Sequence, residues 1–103
     1  MIKLQVLYPQ PIDKSQFEKD YSEHVQLLHE KTGIPADVKP YTITKFLPGP
    51  DGDAPYYQMF TMPFESAEAL QEAMASEGMQ VVAADANRIS SGGTPVILIG
   101  ADI

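Results

Sequence analysis

The chain has 103 residues, 44 % of them apolar, which is enough for one domain with a modest core. Seven basic residues against fourteen acidic ones leave a net charge of −7, and the basic residues are scattered, so nucleic acid and anionic membranes are disfavoured as partners. With no cysteine, disulfides, thiolate metal sites and a cysteine nucleophile are excluded. No apolar run has the length of a membrane span or the form of a signal-peptide core, so a cytoplasmic protein is the default expectation.

Ile2 to Tyr8 alternates, with Ile2, Leu4, Val6 and Tyr8 on one face and Lys3 and Gln5 on the other. This predicts a strand with one buried side, ended by Pro9 and Pro11. Asp13 or Ser15 then caps a helix that runs to about Lys31, where Gly33 and Pro35 stop it. On this helix Phe17, Tyr21, His24 and Leu28 fall in one narrow apolar stripe, while Glu18, Lys19, Ser22, Glu23, Gln26 and Glu30 take the other half. The two histidines of the chain are both here, with His24 in the middle of the apolar face and His29 near its edge.

Asp37 to Leu47 is rich in β-branched and aromatic residues and reads as a second strand. Pro40 within it argues for an edge position or a bulge. Pro48 to Pro55 is turn chemistry, and a further strand starts at Tyr56, which predicts a hairpin. Ser66 caps a second helix that ends at Gly78, with Ala67, Leu70, Ala73 and Met74 as its apolar stripe. Met79 to Ile89 reads as a short helix with Val82, Ala86 and Ile89 on one side. Gly92 and Gly93 lack the strand–loop–helix setting of a phosphate site and read as a turn. The last strand, around Val96 to Ile99, is apolar on both faces.

The order strand, helix, strand, strand, helix, strand predicts an α+β, ferredoxin-like βαββαβ sandwich with the helices on one face of an antiparallel sheet. In that topology the last strand lies at an edge. A bare apolar edge strand is an aggregation hazard, and a second copy of the chain would cover it, so a homodimer is expected.

His24 carries the clearest chemistry. An imidazole titrates near neutrality and suits general acid/base work. Tyr21, one helical turn earlier, would orient it or polarise a substrate oxygen. The plain alternative is a core histidine held by a backbone carbonyl. His29 reads as a solvated residue near the helix C-terminus. The two histidines are five residues apart, not at the i, i+4 spacing of helical metal pairs, so no metal site is expected. The aromatic and methionine residues, Tyr41, Phe46, Tyr56, Tyr57, Met59, Phe60, Met62, Phe64 and Met74, serve either as core or as a plastic pocket for a small hydrophobic molecule. Asp85 is either a carboxylate facing that pocket or a solvated cap.

The stretch IKLQVLYPQP, the helix pattern of Phe17, Tyr21, His24, Leu27 and Leu28, the run LQEAMASEGMQVVAAD and the closing PVILIG together resemble the ethyl tert-butyl ether degradation (EthD) family over nearly the whole chain, residues 1–103. The resemblance implies a dimeric α+β barrel in which two sheets meet. It also implies a pocket in each protomer between sheet and helices, lined by the inner face of the first helix. Relatives of this fold include monooxygenases, lactone isomerases and polyketide cyclases that act on hydrophobic or aromatic molecules, and the family is described as oxidoreductase-like. The reading for this chain is an oxidoreductase-like or cofactor-independent enzyme of a small hydrophobic metabolite, with no tightly bound cofactor. His24 and Tyr21 would be catalytic, with Phe17, Leu28, Tyr41, Tyr57 and Asp85 as substrate-binding residues. The alternative is a non-catalytic ligand-binding dimer accessory to a degradation pathway. A haem-handling role with His24 as axial ligand is a third reading, disfavoured because no basic cluster is available for the propionates.

Overall fold

The computed structural model describes residues 1–103. Four strands, β1 (Ile2–Pro9), β2 (Thr42–Lys45), β3 (Tyr56–Phe64) and β4 (Val96–Ala101), form one antiparallel sheet in the order β2-β3-β1-β4. Three helices, α1 (Lys14–Thr32), α2 (Ala67–Ala75) and α3 (Glu77–Ile89), complete the ferredoxin-like fold. Register follows the hydrophobic alternation. Leu4 pairs with Met62 and with Ile99, and Val6 with Phe60 and with Ile97. These residues therefore share one face of the sheet, the face on which the helices pack.

The first helix is built as its sequence reads. Asp13 accepts from the Gln16 amide at 3.1 Å, and Gly33 ends the helix in the left-handed region (φ 76°), its N–H donating to the His29 carbonyl. The buried residues of α1 are Phe17, Tyr21, His24 and Leu28, the predicted stripe. β2 is much shorter than the segment 37–47 and occupies a sheet edge. Pro40 and Pro48 flank it, and neither can donate to a ladder, so pairing is confined to the β-branched centre.

The second helix departs from expectation. It stops at Ala75, and Ser76 (φ −67°, ψ 148°) both ends α2 and caps α3. The Ser76 hydroxyl donates to the Ala73 carbonyl at 2.7 Å and accepts from the Met79 amide at 3.2 Å. Gly78 thus lies inside α3, and its role is close approach. A Cβ there would sit 2.1 Å from the Lys31 carbonyl oxygen, so only glycine lets the start of α3 pass the end of α1.

Two apolar clusters form beneath the helices. One gathers Leu4, Leu28, Tyr41, Phe60, Leu70, Met79 and Val82; the other gathers Tyr8, Phe17, Tyr21, Ala86 and Ile89. His24, 7 % exposed, is one of two buried polar residues, the other being Gln58. β4 is an edge strand, as predicted, and Ile97, Leu98 and Ile99 remain about half exposed on it.

Candidate functional site at the seam between α1 and α3

Residues of both clusters line a cavity of about 50 Å³, among them Leu4, Leu28 and Phe60 from the first and Tyr8 and Ala86 from the second. Met74, Met79 and Val82 close it from α2 and α3, and Ile97 stands on the β4 side. His24 supplies the only imidazole in the lining, the side chain best suited to acid/base work.

The imidazole is oriented from behind. Nδ1 of His24 lies 2.8 Å from Asp85 Oδ2, and Asp85 Oδ1 accepts from Arg88 Nε, also at 2.8 Å. Asp85 and Arg88 are three residues apart on α3, so the helix itself brings the guanidinium to the carboxylate. Burial alone would push the Asp85 carboxyl up. The hydrogen bonds from Arg88 and His24, and their charges, outweigh burial and hold it below the ordinary value. An ionised carboxylate only accepts, so Nδ1 carries the proton and Nε2 keeps its lone pair.

Burial also disfavours the imidazolium and takes the His24 pKa below 6.5, although the Asp85 hydrogen bond and charge pull the other way. At neutral pH the contact is therefore a neutral imidazole donating to a carboxylate, not an ion pair. The linkage has one sign. Below about pH 6.5 the unfolded chain takes a proton that the folded His24 resists, so stability falls as pH drops through the folded value. Asp85 adds a loss of the same sign at lower pH, from its ordinary value of 3.8 downward. Thermal melts between about pH 7 and pH 5 should show a falling midpoint in the native chain and a flatter profile in His24→Gln. Parallel profiles would show that His24 is not the group responsible.

The other sequence-predicted residues divide. Leu28 lines the cavity beside His24, and Asp85 orients the imidazole from α3. Tyr21 is not brought to the cavity. Its ring lies 5.6 Å from the His24 ring, but its hydroxyl turns towards Gln58. Phe17 is 2 % exposed and packs among Tyr8, Tyr21 and Tyr57. Tyr57 lies edge-on to Phe17, donates its hydroxyl to Glu18, and has the Lys45 ammonium 5.3 Å above its ring. Tyr41 stacks on Phe60 and holds His29, with its hydroxyl 2.6 Å from Nε2.

His29 is correspondingly not solvated as expected. Nδ1 lies 3.1 Å from the carbonyls of Ile34 and Pro35, so the ring pins the loop after α1. Tyr8, Arg88 and Ile97 are among the site residues that sequence reasoning left out. Tyr8 ends the buried face of β1, and the i, i+3 spacing of Asp85 and Arg88 was a signal for their pairing. No three His, Asp or Glu side chains converge closely enough to hold a metal ion, and no helix is long and apolar enough to cross a membrane.

The EthD domain model matches residues 9–93, a span that holds α1, the hairpin, α2 and α3. The chain belongs to the EthD family. An EthD family protein of Bacillus halodurans is 29 % identical, with the alignment covering 100 % of this chain and 99 % of that one at a TM-score of 0.82. An EthD-like protein of Ralstonia eutropha is 26 % identical, with 96 % and 88 % covered and a TM-score of 0.62. A structure described as an antibiotic biosynthesis monooxygenase is similar in fold, at 16 % identity, 100 % and 99 % coverage and a TM-score of 0.62. A structure described as a dimeric ferredoxin-like protein from Jannaschia is similar at 10 % identity, with 99 % and 100 % covered and a TM-score of 0.71. No curated protein matches the chain.

Proposed function

We propose that this EthD protein is an acid/base enzyme of a small hydrophobic molecule, with His24 Nε2 as the base and Asp85 as the residue that orients it. The observation that carries the reading is a buried imidazole in the wall of an otherwise apolar cavity, with Nδ1 2.8 Å from the partly buried Asp85 carboxylate. Nε2 would take a proton from the substrate while Asp85 stabilises the imidazolium that forms. Proton removal is the step that cofactor-independent oxygenation and isomerisation share, and the likeness in fold to a structure described as a monooxygenase supports that class of reaction by analogy alone. The cavity volume is about a third of that known to hold a benzene ring, so a ring-sized substrate requires the flexible Met74 and Met79 to move.

Turnover of a panel of small apolar metabolites, followed by mass spectrometry, tests this. His24→Ala should lose about 10²- to 10⁴-fold in rate with the fold retained. An unchanged rate sinks the proposal. The small cavity and the burial of His24 are what favour the second reading, a non-catalytic binder. In that case no member of the panel is consumed, and ligand binding alone shifts the Met74 and Met79 methyl signals.

The same reading includes a homodimer, as described for the ferredoxin-like neighbours. On the helix-free face, Leu7 lies between Met59 and Val96, and Gln5 between Thr61 and Leu98. A second copy would cover this row and the exposed apolar edge of β4. Leu98→Lys should convert a sedimenting dimer to monomer. A native chain that is monomeric at every concentration would refute the dimer.

A further inference from the structure

Two buried polar atoms have no partner. Tyr21 Oη and Gln58 Nε2 are both shut off from water, in residues 6 % and 2 % exposed, and neither makes a hydrogen bond. Leaving such a group unsatisfied costs about 1–3 kcal/mol. Both residues line one cleft, and neither atom makes a hydrogen bond to the other. This cleft, of about 520 Å³, lies between α1 and the strands β2 and β3, and it shares no residue with the His24 cavity. Val25 and Ile43 supply apolar walls. At its rim Glu18 pairs with Lys45, so the charges there are already neutralised.

We infer that this cleft is a second binding site, which takes the carbonyl oxygen of a small neutral molecule between Tyr21 Oη and Gln58 Nε2. Both groups donate, and one carbonyl oxygen has two lone pairs to accept them. The internal compensation of Glu18 by Lys45 and the net charge of −7 disfavour an anion in that place. The apolar walls suit the carbon skeleton of a ketone, ester or lactone. Ser22, Gln26 and Ile43, which line the same cleft, are all exposed.

Cyclohexanone is a suitable probe, titrated into the native protein and followed by NMR. The side-chain amide signals of Gln58 and the ring signals of Tyr21 should shift saturably. Affinity should fall about tenfold in Tyr21→Phe and in Gln58→Leu, as expected for one hydrogen bond lost in each. Both variants should melt no lower than the native chain, because each removes an orphaned polar group. Three results overturn the site: no shift at Gln58 and Tyr21, which leaves the two atoms to an internal water only; shifts confined to Met74, Met79 and Val82, which place the probe in the His24 cavity; or equal affinity in both variants.

Discussion

Phe17→Ala is expected to lower the unfolding free energy by about 3–5 kcal/mol, a large share of the roughly 5–15 kcal/mol that holds a domain of this size together. Phe17 is 2 % exposed, and its ring centroid lies 5.4 Å from that of Tyr8, 5.6 Å from Tyr21 and 5.4 Å from Tyr57. Those three rings come from β1, α1 and β3, so one side chain joins the helix to two central strands. Removing it leaves a cavity that the stiff neighbouring rings cannot refill, and the edge-to-face contacts are lost with it. Urea unfolding should show a lower midpoint with an unchanged slope. Phe17→Leu keeps most of the volume and should cost less than about 1.5 kcal/mol. A Phe17→Ala loss no larger than that of Phe17→Leu would mean that the second cluster contributes little to α1 docking.

The same stripe explains why so much of the fold was legible. Period 2 in β1 and period 3.6 in α1 each bury one side, and the four residues predicted to face inward on α1 are its four buried residues. Asp13, Gly33 and Ser66 act locally, so their roles follow from the neighbouring sequence. What was missed depends on contacts between distant segments. Ser76, not Gly78, marks the boundary between the second and third helices, and Gly78 lies inside α3 where it approaches Lys31, forty-seven residues earlier in the chain. The segment 37–47 has strand composition throughout, but only Thr42–Lys45 forms a strand at the sheet edge, with Phe46 adding one further backbone bond to Tyr57.

The candidate site was legible to the extent that it lies on one element. Helical spacing alone turns His24 and Leu28 inward together. It says nothing about what lies opposite, and His24 and Asp85 are 61 residues apart. Tyr21 was paired with His24 because the two are one turn apart, yet neighbouring side chains on a helix face can point to opposite flanks. Asp85 on α3 takes the orienting role, and the Tyr21 hydroxyl faces Gln58 on β3. His29 was misplaced for a related reason: the ring that anchors it, Tyr41, lies just ahead of a strand that only the tertiary structure brings alongside α1.

Asp85→Asn should then cost nearly as much activity as loss of the imidazole, about 10²- to 10⁴-fold, with little change in fold. Asparagine has the same shape and leaves Arg88 exposed to water, where an unpaired guanidinium is cheap. Two properties of the site are lost together. The imidazolium formed during proton transfer no longer has a counter-charge, so His24 becomes a weaker base. The amide can also turn its NH₂ towards Nδ1, which selects the tautomer protonated on Nε2 and removes the lone pair from the cavity side. Ring nitrogen shifts of His24 should report that change of tautomer, and its pKa should move further below 6.5, since the charge and hydrogen bond that raise it are gone. Because the two residues act as a unit, His24→Ala combined with Asp85→Asn should be no slower than His24→Ala alone. Additive losses would mean that Asp85 meets the substrate itself, and an unchanged rate in Asp85→Asn would remove the carboxylate from the mechanism.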